Sequence, residues 1–223
     1  RRTTGRNLAP WIRRDILDQV LYCIFHDKRD GWRVVDFNDS GDMNLSADIY
    51  ALVAKYTGNP EVGWLLGETV SSGHTVNSVF AVVGGLCSRP PIGRERNRCF
   101  RDIGWTVFRS GWGREDSLMA AKFHQGRGHH DIGQFVIYHR GARQVVDSGS
   151  FNYADPIYQE YLCRTHAHNV VTVDGHGQWR LDGRLVSFCA GDGVGEAEAD
   201  LTDAYQDLLT GWHRGVMFFD EGL

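Results

Sequence analysis

The sequence predicts an α+β protein in which a helical N-terminal part is followed by an antiparallel β-sandwich. Apolar residues recur at helical spacing through the first part of the 223-residue chain. The segment at 88–98 (SRPPIGRERNR) then combines prolines, glycine and charge, and helices should not cross it. Beyond it, apolar and polar residues alternate as they do in strands. We therefore expect a helical region at 1–98 and a sandwich at 99–223.

Four helices are expected in the first region. Apolar residues at helical spacing predict one over 12–24 and another over 45–56. Asn59 and Pro60 supply an N-cap followed by proline at the first helical position, so a third helix should begin there. A fourth is expected over 75–86.

Alternating strands are predicted at 105–110, 117–123 and 134–139. Arg140 and Gly141 predict a turn that returns the chain through RQVVDSG as a hairpin. Strands joined by so short a turn are antiparallel.

The remaining part of the sandwich is expected to contain one helix and more strands. Residues 156–164 predict a short helix that lies across a sheet. NVVTVDG at 169–175 is predicted to be a strand, since Asp-Gly at its end is a hairpin signal. A second Asp-Gly at 182–183 should join the strands QWRL and RLVSFCAG.

Composition and charge exclude several classes of protein. With 42% hydrophobic residues the chain can bury an ordinary globular core. Its formal net charge of -4, without a basic block or an acidic tail, argues against nucleic acid or a membrane surface as partner. No apolar run predicts a membrane span. The five dispersed cysteines favour free thiols over a disulfide framework, so they do not fix the compartment.

The ends of the chain lead us to expect a fragment of a longer protein. The chain begins with Arg1 rather than Met and ends in VMFFDEGL, which has the pattern of a strand. The lack of a signal peptide is therefore uninformative.

Two histidine pairs and one aspartate are candidates for a metal site. His166 and His168 should share one face of a strand, whereas the neighbours His129 and His130 should point apart. Asp147 follows two valines and would need partners if it is buried. Two imidazoles and a carboxylate, with a fourth position for water, form a ligand set that zinc accepts.

These residues also have ordinary explanations. A histidine pair in a loop is commonly solvated, and Asp-Ser-Gly commonly forms a turn with an Asx hydrogen bond. Two histidines and a carboxylate also make the iron site of a cupin-like oxygenase, although the helical first part does not fit that fold. Spacing alone therefore leaves the metal open.

The order of motifs resembles the heparinase II/III-like family of polysaccharide lyases. The chain reads GRGHHDIGQFVIYHRGARQVVDSGSFNY from Gly126 and RTHAHNVVTVDGHGQ from Arg164. The likeness extends to FNDSGDMNL, KYTGNPEVGWLL, DIGWTVFRSGW and WHRGVMFFDEG. It implies that residues 1–98 are the end of an α/α toroid and that residues 99–223 are a β-sandwich that is truncated at its C-terminus. It also implies a periplasmic or secreted location.

The resemblance also implies a site. A mainly structural zinc, or another divalent cation, would be held by His129, Asp147 and His168. Family members commonly have a histidine where this chain has Arg127, so Arg127 or His130 is expected to take its catalytic role. Tyr153 is expected to line the site and to be a catalytic residue. Three further residues are expected to bind sugar or to orient the second histidine: Arg164, Asn169 and Gln178.

The implied chemistry is β-elimination from a uronic acid in an acidic polysaccharide. A base removes the proton next to the C5 carboxylate, and the negative charge that develops must be stabilised. The family's catalytic tyrosine and its Asn or His neutraliser come from toroid helices, which we expect to precede Arg1. The alternative is a non-catalytic carbohydrate-binding relative that keeps the metal, and the departure at Arg127 favours it.

Overall fold

The computed structural model describes residues 14–40, 47–71, 85–124, 128–191 and 193–220. These ranges contain three α-helices and ten strands, and every strand pair is antiparallel. The chain therefore has the mixture of helices and antiparallel sheets that the sequence predicts. Most of the fourth predicted helix, at 75–86, falls outside the described residues.

The helices are α1 (Arg14–Tyr22), α2 (Ala47–Thr57) and α3 (Pro60–Ser71). The predicted start of α3 is confirmed. The Asn59 side-chain oxygen accepts hydrogen bonds from the backbone N–H groups of Glu61 at 2.9 Å and Val62 at 3.3 Å. Both donors would otherwise lack a partner within the helix.

The N-terminal region is not purely helical, which corrects the prediction. Strands β1 (Ile24–Asp27) and β2 (Gly31–Val34) form a hairpin directly after α1. Ile24, assigned to the first helix from its spacing, begins β1 instead. The Asp27 carboxylate closes the turn by accepting the Arg29 N–H at 2.7 Å. The helical spacing of apolar residues predicted the wrong element here, because a short strand that is buried on both faces shows no alternation of apolar and polar residues.

Two sheets follow. The first has five strands in the order β3-β4-β5-β6-β7, with bounds β3 (Arg98–Phe100), β4 (Trp105–Arg109), β5 (Leu118–Lys122), β6 (Phe135–His139) and β7 (Ala142–Val145). The second has the order β10-β9-β8, with bounds β8 (Arg184–Gly191), β9 (Val194–Asp200) and β10 (His213–Phe219). The predicted turn between β6 and β7 is confirmed, since Arg140 and Gly141 have φ of 49° and 72°.

The predicted strand at 169–175 is wrong. Its backbone makes only an isolated bridge between Val173 and His176, around a turn at Asp174 and Gly175. The segment QWRL is likewise not a strand. Side chains take up the backbone groups here, because Asn169 N–H donates to the Gln134 side chain and the Asn169 carbonyl accepts from Arg214.

The two histidines of HAH do not share a strand face. His166 lies in a 3-10 turn, Thr165–Ala167, and is exposed, whereas His168 follows that turn and is buried. The short helix predicted before them exists as a π-helical turn at Tyr158–Leu162.

The five-stranded sheet has hydrophobic cores on both faces. Val107 belongs to a buried cluster that includes residues of α1 and α3, whereas its neighbour Phe108 belongs to a second cluster with residues of β9 and β10. Successive strand residues face opposite sides of a sheet. The Phe108 ring stacks on Phe188 with centroids 5.6 Å apart. The helical layer, the first sheet and the second sheet are thus stacked in that order. None of the helices described is both long and apolar enough to cross a membrane.

Candidate functional site

A buried polar cluster lies where β5 is joined to β6. Among the described residues, His129, Asp131 and His168 offer ligand atoms that all lie within 4.8 Å of one another. The first two side chains are fully buried and His168 is 8% exposed. Two imidazoles and one carboxylate leave a fourth position open, as in zinc sites that bind water.

Each histidine has one ring nitrogen against a carboxylate. His168 Nδ1 lies 3.1 Å from Asp147 Oδ2, and His129 Nε2 lies 3.1 Å from Asp39 Oδ1. An ionised carboxylate only accepts hydrogen bonds, so these nitrogens carry the protons. When both rings are neutral, the nitrogens without a proton are His129 Nδ1 and His168 Nε2, which lie 3.4 Å apart.

This geometry fits a metal ion. Two lone pairs that approach each other in a buried site repel, and a cation bound by both removes the conflict. Ligand nitrogens about 2.0–2.1 Å from a tetrahedral zinc lie about 3.4 Å apart. A carboxylate behind each histidine is the usual arrangement that orients metal-binding imidazoles.

The two aspartates near the histidines have different surroundings. Asp147, predicted as a ligand, contacts His168 and accepts hydrogen bonds from Gln134 Nε2 at 2.6 Å and the Gly149 N–H at 3.0 Å. It is not one of the three residues whose ligand atoms converge. Direct coordination by Asp147 stays a prediction, and Asp131 is a carboxylate that sequence reasoning did not consider although it ends the HHD motif.

A buried ammonium holds Asp131. Lys122 Nζ lies 2.6 Å from both carboxylate oxygens and donates to Asn38 Oδ1 at 2.5 Å. Both charged side chains are fully buried. Burial lowers the pKa of Lys122, and Asp131 opposes that shift.

Four side chains form hydrogen bonds with the Asp39 carboxylate. Besides His129, it accepts hydrogen bonds from Tyr158 at 2.8 Å, Tyr153 at 3.0 Å and Ser150 at 3.2 Å. Partial burial favours the neutral acid, but the hydrogen bonds from Tyr158, His129 and Tyr153 outweigh it and hold the pKa of Asp39 below its ordinary value. Sequence reasoning did not select Asp39, and only its place in FNDSGDMNL could have indicated a role.

Tyr153, the tyrosine that was predicted to line the site, contacts the site from the solvent-exposed side. Tyr153 is 64% exposed, and its ring meets the buried Tyr158 edge-on at 4.7 Å. The hydrogen bond to Asp39 raises the pKa of Tyr153, so its hydroxyl stays protonated at neutral pH. Tyr158 was not singled out from the sequence, because it lies inside the predicted helix.

Three other predicted residues line a separate open cavity of about 440 Å³: His130, Arg164 and Gln178. Trp179 lines it too and is 51% exposed. The Arg164 Nε–H donates to the Gln159 carbonyl at 2.8 Å. A cavity of this size accommodates a small sugar fragment.

His130 is engaged at both ring nitrogens. Its Nδ1–H donates to the Gln178 carbonyl at 2.6 Å, and its Nε2 accepts from Arg180 Nε at 3.1 Å. Burial lowers the pKa of His130, and the cations Arg180 and Arg164 add to that effect. The imidazole is therefore neutral at pH 7.

The amides of Asn169 and Gln178 are occupied by the fold. Asn169 Nδ2 donates to the carbonyls of Phe135 and Val146, and Gln178 Nε2 donates to Ile132 and Tyr205. These contacts favour structural roles for both. Arg127 lies outside the described residues.

Comparison with known protein families shows to which family the chain belongs. The family profile described as "Heparinase II/III-like, C-terminal" matches residues 93–222, more than half of the chain. The chain belongs to the heparinase II/III-like family. No curated protein sequence matches it.

Solved structures of heparinase II/III-like proteins share the fold. A heparan sulfate lyase HepC mutant from Pedobacter heparinus superposes with a TM-score of 0.70 at 16% identity, over 92% of this chain and 30% of that one. A heparinase III with methylated lysines gives 0.71 at 19% identity, over 93% and 31%. The chain spans about a third of the length of these structures.

Proposed function

We propose that this protein is a polysaccharide lyase that cleaves a uronic-acid-containing acidic polysaccharide by β-elimination. The observation that carries the proposal is the family match over 93–222. Neighbours named heparan sulfate lyase and heparinase III favour a heparin- or heparan-like substrate over an alginate-like one. In this proposal a divalent metal, with zinc favoured by the donor set, is held mainly for structure by His129, His168 and a carboxylate.

The cavity beside the cluster has the chemistry of an acidic sugar site. Arg164 lines it, and Arg180 lies against His130 at its wall. These two cations could bind carboxylate or sulfate groups, although Glu160 and Asp207 line the same cavity and offset their charge. The exposed Trp179 ring offers a flat apolar face for a pyranose. Arg127 is proposed as a further cation, in the place of the family histidine.

The proposed elimination moves two protons. A base takes the C5 proton, the electron pair forms the C4–C5 double bond, and the C4–O bond breaks. We assign proton donation to the leaving oxygen to Tyr153, an exposed phenol that is protonated at neutral pH. Tyr153 lies outside the cavity that His130 lines, so in this proposal the substrate spans both, and the phenol leaves Asp39 to donate. His130 is neutral and has the lone pair that a base needs, and it acts as one only when Arg180 releases Nε2.

The domain assignment belongs to the same proposal. Residues 1–98 would be the last part of an α/α toroid and 99–223 the sandwich, in a periplasmic or secreted protein. The match covers only 30% of the HepC mutant structure, so the remainder of such a protein is long enough to hold the rest of a toroid. In this proposal the toroid supplies the family's tyrosine base and its neutralising Asn or His, and Tyr153 acts as the acid.

The test is formation of the unsaturated uronate, followed by its ultraviolet absorbance. The chain and the full-length gene product are each incubated with heparan sulfate, heparin and alginate. Absorbance should rise on at least one of them and fall by a factor of about 100 or more in Tyr153→Phe. Tyr161→Phe, at another exposed tyrosine, is the matched control. If no substrate gives a rise with either protein, the lyase proposal is wrong.

A non-catalytic carbohydrate-binding relative is the second candidate. The observation that favours it is the engagement of both ring nitrogens of His130, together with Arg127 in the place of a histidine. Retarded migration of the protein in gels that contain heparan sulfate, without any unsaturated product, would select it.

A further inference from the structure

The segment 36–40 joins the N-terminal layer to the candidate metal cluster. It follows the β1–β2 hairpin and contains a 3-10 turn, Asn38–Ser40. Phe37 is 2% exposed and meets the Trp105 ring of β4 edge-on at 4.9 Å. The Asp36 N–H donates to the Tyr138 hydroxyl of β6 at 3.2 Å. The segment is thus anchored on the five-stranded sheet before it reaches the polar cluster.

Two adjacent residues of this segment connect to two of the three converging ligands, Asp39 directly and Asn38 through Lys122. Asn38 Oδ1 accepts from Lys122, the ammonium that holds Asp131, and Asp39 Oδ1 accepts from His129. Asn38 has a φ of 54°, a left-handed conformation that costs free energy in a residue other than glycine. With this backbone conformation, the side chains of Asn38 and Asp39 contact different partners, Lys122 and His129.

Asp39 sets the ring orientation and the protonation pattern of His129. Its hydrogen bond to Nε2 leaves the lone pair on Nδ1, which faces His168. Tyr158 and Tyr153 both donate to Asp39 and fix its carboxylate in turn. A neutral amide at position 39 would hold His129 less strongly and would make its ring a weaker ligand.

We propose that the segment 36–40 is a latch through which metal binding and the docking of the N-terminal layer on the sandwich are coupled, with Asp39 as the residue that positions His129. This inference rests on the metal site proposed above. Coupling between two events is reciprocal. An intact latch raises metal affinity, and bound metal in turn protects the latch from opening.

The affinity experiment uses Asp39→Asn, which keeps the shape of the side chain. Zinc affinity of the chain is measured by competition with a chromophoric chelator, and Asp39→Asn should bind zinc about 10- to 100-fold more weakly than wild type. The visible spectrum of the Co²⁺-substituted protein should also change, because the ligand field depends on His129. The control is Asp30→Asn, which removes another contact between the hairpin and the sheet, to Arg143 at 3.3 Å, but does not touch the cluster.

Hydrogen exchange tests the reciprocal effect. Backbone amides of 36–40 should exchange more slowly with zinc than without it in wild type, and the difference should shrink in Asp39→Asn but not in Asp30→Asn. Wild-type chain that binds no metal overturns both the metal site and the latch. Wild type that binds zinc, with unchanged affinity and exchange in Asp39→Asn, overturns the latch alone.

Discussion

Removing the buried cation Lys122 should destabilise the chain far more than removing a surface lysine. Lys122 and Asp131 are both fully buried, with each carboxylate oxygen 2.6 Å from Nζ. At an effective dielectric of about 20, their attraction is about 6 kcal/mol, and desolvation of the two ions offsets most of it. Lys122→Met removes the attraction but leaves the anion buried, which costs about 3–5 kcal/mol.

The double variant Lys122→Met/Asp131→Leu should recover most of that loss. Replacing both members of a buried ion pair by apolar residues is often neutral, although Asn38 then loses its donor at a cost of about 1 kcal/mol. The assay is urea unfolding followed by tryptophan fluorescence, with a chelator present so that bound metal does not compensate Asp131.

Lys28→Met is the matched surface control. Lys28 pairs with Glu115 at 2.9 Å, and both side chains are more than half exposed, so its loss should cost under about 1 kcal/mol. If Lys122→Met costs no more than Lys28→Met, or if the free-energy changes of the two substitutions at Lys122 and Asp131 add, the two charges do not interact as described.

Three other substitutions test the fold. Asn59→Ala should lower the free energy of unfolding by about 1 kcal/mol because it removes the N-cap of α3, and no loss in thermal unfolding would contradict the cap. Gly195→Ala places a Cβ 2.1 Å from the Phe108 ring and should cost about 1–3 kcal/mol; an unchanged melting temperature would mean that the sheets do not approach this closely. Burial raises the pKa of Cys23 to about 12 from 9.0, so the thiol loses its proton at lower pH in the unfolded chain than in the folded one. As pH rises above 9.0, the stability of wild type should therefore fall relative to that of Cys23→Ala, by up to about 1.4 kcal/mol per pH unit. Parallel profiles in urea titrations would refute this.

The local sequence predicted those elements whose signal is contained within a few neighbouring residues. The cap at Asn59 and the turn at Arg140 were predicted because both depend on adjacent residues alone. The strands β4, β5 and β6 were also predicted, although β5 is buried at every position and does not alternate. In contrast, β1 and the segment at 169–175 were misassigned, since their backbone partners are set by tertiary contacts.

The site was predicted in part for the same reason. His129 and His168 were selected from motifs, and the structure brings them together. Asp39 was missed because its partner Tyr158 is 119 residues away in the chain. Lys122 was missed as well, since its contact with Asn38 spans 84 residues. No local pattern marks such a contact.

Metal content of the purified chain tests the candidate metal centre most directly. After incubation with zinc and removal of the excess, elemental analysis should give about one metal per chain in wild type and in the exposed control His166→Ala. His129→Ala and His168→Ala should lose it, and the larger loss between Asp131→Ala and Asp147→Ala identifies the coordinating carboxylate. A wild-type chain without metal, or equal content in His129→Ala, would contradict the site.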